Sequence, residues 1–384
     1  MARIPQARPV SESVARLALG SVSGPVLGIE TSCDETAAAV VADGRVLGQS
    51  IATQIPLHRR FGGVVPEVAA RNHLLTILPT IEAALEQANV TLTQLSGIAV
   101  TNRPGLIGAL LVGVQTARAL AWTAHLPLVG VDHIAAHVWA ITIQPQHGHA
   151  SRSQPQLPYA ALAVSGGHTS LYRVDGPDQL LELGRTLDDA AGEAFDKFGK
   201  LLGMPYPAGP QVDQLAAVGL PDSTLLPRGM LGRDDGAYSF SGLKTAVRLQ
   251  VEALHSQGID LTGQQLADLC ASFQAAVVEQ LVRVTMASLR RHRLHDLVVA
   301  GGVAANRGLR LALAAACHRE KVRFWPVPVE YCGDNAAMVA ALGAALLAKG
   351  HADSPHELDA IATGQVRRTR QTVAVAATRA NQLR

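Results

Sequence analysis

The amino-acid sequence predicts an α/β protein made of two similar halves. Strand-like apolar runs alternate with segments of helical periodicity along the chain, which is the pattern of βαβ units. A unit of strand, small polar turn and strand occurs twice, at 26–41 and at 159–174. The chain has 384 residues, 48% of them hydrophobic and 17% charged, so it is long enough and apolar enough to form two cores.

The elements follow from the period of the apolar residues. In the first half, strands are predicted at 26–30, 98–101 and 128–131, and helices at 73–89 and 106–124. In the second half, strands are predicted at 159–164 and 296–300, with long helices between them. Gly301 and Gly302 join the last of these strands to a helical stretch, and a glycine pair at such a junction lets a ligand approach the backbone.

The two polar turns, 31–36 and 165–170, are predicted to face a cleft between the halves. Each turn presents backbone N–H groups, which favour an anionic ligand. Two ordinary hairpins in one large sheet would give the same pattern of residues. Both arrangements stay open at this point.

Charge and aromatic content limit the ways in which the chain could bind nucleic acid. The formal net charge is +2, and aromatic residues make up 4% of the chain, which argues against a strongly basic RNA-binding protein and against a broad stacking surface. RNA contact would therefore use local basic patches or partner subunits. Arg59, Arg60 and Arg71, near the Gly62-Gly63 loop, are candidates for contact with RNA or a partner.

Cysteine usage predicts a cytoplasmic protein. The four cysteines include no C-x-x-C pair, which is typical of reduced thiols and excludes a zinc ribbon.

Residues 1–25 lack the apolar core of a secretory signal and are predicted to form a disordered leader. No run of about 18 consecutive apolar residues suggests a membrane span. Residues 351–384 form a basic tail without acidic residues beyond Asp359.

His133 and His137 are the first candidates for metal ligands. They follow a predicted strand at the start of a helix for which Asp132 is a suitable N-cap, and positions i and i+4 share one helix face. An incidental pair of exposed histidines is the ordinary alternative. A zinc protease is the weaker hypothesis, because Ile134 stands where such enzymes carry a glutamate base.

Acidic residues in two other segments could complete the site. Asp334 precedes an apolar helix, where it could cap that helix or join the histidines as a third ligand. Two histidines and one carboxylate leave positions open for substrate and suit Fe(II) or Zn(II). Asp34 and Glu35 in the first polar turn could orient an amine, bind a cation or accept a proton, or simply cap their own turn.

Nine motifs occur in order along the chain. They are GIETSCDET (28–36), GGVVPEVAAR (62–71), RPGLIGAL (103–110), the H-x-x-x-H pair, VSGGHT (164–169), AGEAFDK (191–197), SFSGLKT (239–245), GGVAAN (301–306) and CGDNAAM (332–338). With these motifs the chain resembles the tRNA N6-adenosine threonylcarbamoyltransferases, the TsaD family, formerly called O-sialoglycoprotein endopeptidases. The resemblance covers about 26–349.

The resemblance implies an actin-like, sugar-kinase-like (ASKHA) fold of two duplicated lobes with a cleft between them. The N-terminal lobe would span 26–150 and the C-terminal lobe 151–350, with part of the chain's end packing back on the first lobe. The implied enzyme transfers the threonylcarbamoyl group from threonylcarbamoyl-adenylate to the N6 amine of the adenosine 3′ of the anticodon. Its substrates would be tRNAs that read ANN codons, and AMP would be released.

The resemblance also implies roles for individual residues and partners. His133, His137 and Asp334 would hold one divalent metal ion, with Fe(II) favoured over Zn(II). Asp34 and Glu35 remain the candidates for proton transfer. The implied partners are tRNA, the adenylate donor, a shorter paralogous subunit and a small ATPase. The implied donor-binding residues are Ala163, Val164, Ser165, Gly166, Gly167, Asp196, Gly209, Asp213 and Asn306.

Three other functions remain alternatives. An O-carbamoyltransferase could use the same donor lobe, but such relatives carry extra domains for which this chain has no room. An ATPase or sugar kinase of the same fold would not need the histidine pair, since fold alone does not fix function. A non-enzymatic scaffold subunit would be expected to lack the metal-binding set.

Overall fold

The computed structural model describes residues 24–144, 154–227, 236–256 and 261–363. These residues form two five-stranded mixed sheets with helices packed around them. The predicted leader, the junction between lobes at 150/151 and the arginines of the predicted tail lie outside the described residues. The predicted bounds of the lobes therefore stay predictions.

The first sheet has the strand order β3-β2-β1-β4-β5. Strand β1 is antiparallel to β2 and parallel to β4, which is in turn parallel to β5. The strands are β1 (Val26–Glu30), β2 (Glu35–Ala42), β3 (Arg45–Thr53), β4 (Gly97–Arg103) and β5 (Leu128–Asp132). The associated helices are α1 (Ile55–Arg59), α2 (Pro66–Ala88), α3 (Ile107–Ala124) and α4 (His133–Trp139), with 3-10 turns at Leu92–Gln94 and Ala140–Thr142.

The second sheet repeats this topology with the order β10-β9-β6-β7-β8. Its strands are β6 (Tyr159–Val164), β7 (Thr169–Gly176), β8 (Gln179–Arg185), β9 (Asp296–Ala300) and β10 (Arg323–Pro326). The helices are α5 (Ala191–Leu201), α6 (Gly209–Ala216), α7 (Ser241–Ser256), α8 (Gly263–His292), α9 (Arg307–Arg319) and α10 (Ala336–Ala348), with 3-10 turns at Gly302–Ala305 and Val329–Tyr331.

The duplication predicted from the two strand–turn–strand units is confirmed. Strands β6 and β7 pair antiparallel and β6 and β9 pair parallel, as β1, β2 and β4 do in the first sheet. The alternative of two hairpins in one large sheet is wrong. Every residue of β1 and β6 is buried, which explains their continuous apolar sequence, since strands covered on both faces cannot alternate with polar residues.

Helix α10 follows the second sheet in sequence but packs on the first. It contacts β1, β2, β4 and α4. Gly28 of β1 permits this approach, because a Cβ at that position would meet backbone atoms of Ala336 and Ala340. The segment after α10 also lies on the first sheet, where Asp353 pairs with Leu128. The metal-ligand candidate Asp334 is thereby brought to the first sheet.

Helix α3 is the one helix in the described part whose length and composition would allow it to cross a membrane. Its residues Leu110, Val114, Ala117 and Ala121 are buried in the core beside the first sheet. This packing is that of a core helix.

Candidate functional site

The site lies where the carboxyl ends of β1 and β5 meet. Asp132 ends β5, and its side chain caps α4 by accepting hydrogen bonds from the N–H groups of Ile134 (3.0 Å) and Ala135 (3.1 Å). The predicted helix start is therefore confirmed. His133 and His137 project from one face of α4 with ring centroids 4.6 Å apart, and both are buried. The pair therefore does not lie on a partly exposed helix, as the alternative required.

Asp334 joins the two histidines. Its Oδ1 lies 3.2 Å from His137 Nε2 and 3.5 Å from His133 Nε2. The helix cap is instead Asn335, whose Oδ1 accepts from Met338 N–H (2.9 Å), so the capping role considered for Asp334 is wrong. One ligand atom from each of the three residues lies within 4.8 Å of the others, close enough to surround a single metal ion.

Glu30, which was not among the predicted site residues, contacts His133 on the side of the ring away from Asp334. Glu30 is fully buried at the end of β1, and its Oε2 lies 3.1 Å from His133 Nδ1. The carboxylate also accepts from Ser32 N–H (2.5 Å) and Thr101 Oγ1 (2.6 Å). Because a carboxylate only accepts, Nδ1 of His133 carries the proton and Nε2 faces Asp334. A charged residue at the end of an otherwise apolar strand was the available signal.

The surroundings of the three candidate ligands shift their pKa values in different directions. Burial alone would lower the pKa of His133, but Glu30 and Asp334 outweigh it and raise that pKa to about 9. Burial lowers the pKa of His137 and keeps its ring neutral. Burial would raise the pKa of Asp334, but His133 and His137 lower it below its usual range. A carboxylate facing two imidazole nitrogens, one of them oriented by Glu30, fits a divalent metal ion.

Asp34 and Glu35 lie in the turn between β1 and β2. Glu35 Oε1 accepts from Thr53 Oγ1 (2.8 Å), and its Oε2 is buried without a partner in the described part of the chain. Burial raises the pKa of Glu35 to about 7, helped by Asp34 and Asp334. Burial also raises the pKa of Asp34. Both carboxylates are thus shifted towards the proton-accepting range near neutral pH.

A second missed residue, His73 of α2, clamps this turn. Its Nε2 lies 3.0 Å from the Cys33 carbonyl, which can only accept, so Nε2 carries the proton. Its Nδ1 then accepts from Thr36 Oγ1 (2.7 Å). Burial lowers the pKa of His73 and keeps the ring neutral, as these two bonds require. The clamp fixes both ends of the segment that carries Asp34 and Glu35.

The candidate donor-binding turn follows β6. Ala163 and Val164 end that strand, and Ser165 N–H then donates to the His168 carbonyl (2.8 Å). The N–H groups of Gly166 and Gly167 donate to nothing in the described ranges, and the space beside both Cα atoms is empty. Two unpaired donors in open space suit an anionic group.

Gly301 brings β9 close to this turn. It has a φ of +92°, and a Cβ there would overlap the Val164 carbonyl. The junction between β9 and the following helical stretch therefore needs glycine at this position.

Of the four remaining predicted donor ligands, Gly209 and Asn306 lie at helix starts, whereas Asp196 and Asp213 lie within α5 and α6. Asp196 accepts from Ala208 N–H (2.8 Å), and Gly209 begins α6. Asp213 accepts from Arg307 N–H (3.1 Å). Asn306 caps α9 by accepting from Leu309 N–H (2.8 Å). Their binding of a donor stays a prediction.

His168 was missed as well, although it stands in one of the quoted motifs. It is partly buried, and its N–H donates to Ser165 Oγ (3.2 Å). Burial, together with the nearby His133 and His137, lowers its pKa to about 4. His168 therefore lies close both to the turn after β6 and to the candidate metal ligands.

Comparison with known proteins agrees with this arrangement. The family model described as TsaD, tRNA N6-adenosine threonylcarbamoyltransferase, matches residues 45–341. The chain is 50% identical over 336 residues to the enzyme of that name from Sorangium cellulosum, covering 86% of this chain and 93% of the relative. It is also 50% identical over 340 residues to that of Trichlorobacter lovleyi, covering 88% and 96%.

Among solved structures, full-length HypF in its phosphate- and nucleotide-bound form is 14% identical and superposes with a TM-score of 0.53, covering 90% of this chain and 48% of HypF. This likeness concerns the fold alone, which is the predicted actin-like, sugar-kinase-like fold of two lobes. The matched motifs and the identity to whole relatives decide the family. The chain belongs to the TsaD family of tRNA N6-adenosine threonylcarbamoyltransferases.

Proposed function

We propose that this chain moves a threonylcarbamoyl group from threonylcarbamoyl-adenylate to the N6 amine of the adenosine 3′ of the anticodon in tRNAs that read ANN codons. The observation that carries the proposal is the cluster of His133, His137 and Asp334 at the carboxyl edge of the first sheet. The turn with two unpaired N–H groups supplies a second, anion-binding feature of the cleft. Family membership supplies the class of reaction.

The three ligand candidates would hold one divalent metal ion, Fe(II) or Zn(II). Such an ion, when bound, polarises an oxygen of the donor as a Lewis acid. Gly166 and Gly167 would donate to oxygens that gain negative charge during transfer, which is the arrangement of an oxyanion hole. Glu30 would keep Nε2 of His133 directed at the ion.

Each bond, electron pair and proton in the transfer can be accounted for with the two substrates and the groups in the cleft. The N6 amine attacks the carbamoyl carbon, a C–N bond forms, and the bond from that carbon to the phosphate oxygen breaks. AMP leaves with the electron pair. The proton lost by N6 passes to a carboxylate. Between Asp34 and Glu35 we favour Glu35 as the acceptor, because burial raises its pKa to about 7, close to neutral pH.

Partner subunits and compartment belong to the same proposal. Leu74, Leu75 and Leu78 of α2 and Ile107 and Leu111 of α3 are exposed on two neighbouring helices, and such a surface suits a protein partner. We assign it to the shorter paralogous subunit, with the small ATPase joining the complex. All four cysteines are free thiols, which supports a cytoplasmic location.

The test measures incorporation of labelled threonine into an unmodified, ANN-decoding tRNA, with purified adenylate donor and partner subunits supplied. The wild type is compared with His133→Ala/His137→Ala, and with His318→Ala as an exposed histidine control. Loss of both incorporation and bound metal in the double variant alone would support the proposal. Incorporation that survives loss of the metal would reduce the pair to a structural role. No incorporation by the wild type with competent partners would refute the function.

A further inference from the structure

A basic surface with one exposed aromatic ring lies beside the cleft. We define this basic rim as Arg59, Arg60 and Phe61, together with Lys200 from the second lobe. Of the large hydrophobic side chains exposed in the described ranges, only Phe61 and Trp122 are aromatic. Phe61 is 47% exposed, and the Arg60 guanidinium lies 4.7 Å from the centroid of its ring. One face of the ring is therefore covered by a cation.

A backbone hydrogen bond connects the segment before the basic rim to the turn that carries Asp34. Gln54 N–H, just before α1, donates to the Asp34 carbonyl (3.0 Å). Helix α1 has five residues and ends at Arg59, about 8 Å further along at 1.5 Å per residue. Arg59 Nε then donates to the Tyr206 carbonyl (3.3 Å) in the loop between α5 and α6. The rim thus spans the two lobes at the mouth of the cleft.

The charges of the rim and of the cleft floor are opposite. Arg59, Arg60 and Lys200 are exposed and form no ion pair with a carboxylate in the described part of the chain. The floor carries carboxylates instead. These are Asp34, Glu35, Asp196 and Asp334. A phosphate backbone is attracted to the rim and repelled by the floor, whereas an uncharged base can enter.

We propose that Phe61 stacks on an unpaired base next to the target adenosine of the RNA loop, while Arg59, Arg60 and Lys200 contact its phosphates. The inference rests on the proposed function, which makes an anticodon loop the acceptor. Single-stranded RNA is recognised by stacking of splayed bases on aromatic rings and arginine planes. Because Arg60 covers one face of Phe61, the other face is left for one base. This suits a chain with too few aromatic residues for a broad stacking surface.

The stacking test uses an anticodon stem-loop RNA with 2-aminopurine beside the target adenosine, because stacking quenches its fluorescence. Wild type and Phe61→Trp should quench the probe, whereas Phe61→Ala should lose quenching and bind the RNA about 5- to 100-fold more weakly. Trp122→Ala removes the other exposed aromatic ring and should change neither quantity. Unchanged quenching and affinity in Phe61→Ala would overturn the stacking proposal.

The charge contribution is tested separately. Arg60→Gln/Lys200→Gln should bind any stem-loop more weakly and lower the slope of log affinity against log salt by about 1 to 2. Lys321→Gln, an exposed lysine at the end of α9, serves as the control. An unchanged slope would remove these side chains from the RNA contact. Binding is measured without the adenylate donor, so failure of the stacking or charge test leaves the threonine-incorporation assay, and hence the proposed function, to be judged independently.

Discussion

Glu30 and His133 are joined by a buried hydrogen bond that decides which imidazole nitrogen faces Asp334. The bond is 3.1 Å long, and the carboxylate is further held by Ser32 and Thr101. His137 has no such support, since its Nδ1 is buried without a partner in the described ranges. The two histidines are therefore oriented to different degrees, and Glu30 is the residue that makes the difference.

We expect Glu30→Gln to weaken metal binding by about 10- to 100-fold, the usual effect of removing a partner behind a metal-binding histidine. The neutral amide still fills the space but no longer stabilises the proton on Nδ1 by charge. Metal affinity is measured by titration of the metal-free protein with Zn(II) or Fe(II). Glu82→Gln, on the exposed side of α2, is the control. Equal affinity in Glu30→Gln and wild type would contradict the assigned role.

Glu35 predicts a pH dependence of stability in the metal-free protein. Burial raises its pKa from 4.5 to about 7, so between these values the folded state binds more protons than the unfolded state. The free energy of unfolding should therefore decrease as the pH rises through this window. Glu35→Gln cannot titrate and should show a smaller decrease. Urea unfolding at pH 5, 6, 7 and 8 measures the difference, and parallel pH profiles would show that Glu35 is not perturbed.

At the scale of elements, the start of helix α2 differs from the sequence prediction for a clear physical reason. The helix predicted at 73–89 is α2, which begins seven residues earlier, at Pro66. Proline at the first helical position is a common start, because the missing N–H would have no partner there. Its end is as expected, since Asn89 follows Ala88 in the left-handed conformation that closes many helices. The earlier start brings α2 next to the loop that carries the basic rim.

The packing of α10 on β1 leads to a prediction at this scale. Gly28→Ala would place a methyl group against the backbone of Ala336 and Ala340, so α10 must shift. We expect a loss of about 1–3 kcal/mol in the free energy of unfolding and weaker metal binding, because Asp334 immediately precedes α10. Chemical denaturation and metal titration measure the two effects.

Gly242→Ala is the matched control, because a Cβ at that position of α7 meets nothing within 4 Å. It should leave metal affinity unchanged. Wild-type metal affinity in Gly28→Ala would show that α10 does not determine the position of Asp334.

At the scale of the whole molecule, the first lobe carries two different surfaces, an apolar face on α2 and α3 and most of the basic rim. Leu75, 74% exposed on α2, belongs to the apolar face of α2 and α3, whereas the cleft mouth is basic. Monomeric proteins rarely expose a contiguous apolar surface without a partner. A partner on the α2–α3 face would leave the basic rim accessible to RNA.

If the shorter paralogous subunit binds this face as proposed, we expect Leu75→Glu/Leu78→Glu to abolish its association, since two charges would be buried at the interface. Analytical ultracentrifugation of the mixed subunits measures the complex. Leu311→Glu changes an equally exposed leucine of α9 and should associate normally. A complex that forms unchanged with the double variant would place the partner on another surface.

The sequence by itself determined the strands β1, β4, β5, β6 and β9 and the helix start at Asp132 with its two histidines, whereas its pattern left the duplication open against two ordinary hairpins. These depend on local periods, caps and motifs, which neighbouring residues specify. The family motifs predicted that Asp334 lies beside His133 and His137, although some 200 residues of chain separate them. No local pattern could have distinguished it from a helix cap.

Only the tertiary structure decided which polar groups from distant parts of the chain come into contact. The pairing of Glu30 with His133, the clamp of His73 on the Cys33 carbonyl and the contact of Arg59 with the Tyr206 carbonyl join residues 40 to 147 positions apart. The first two contacts arise from the packing of α4 and α2 against the first sheet, and the third arises from the apposition of the two lobes. Their energies depend on burial and direction, which are properties of the folded chain and not of any segment alone.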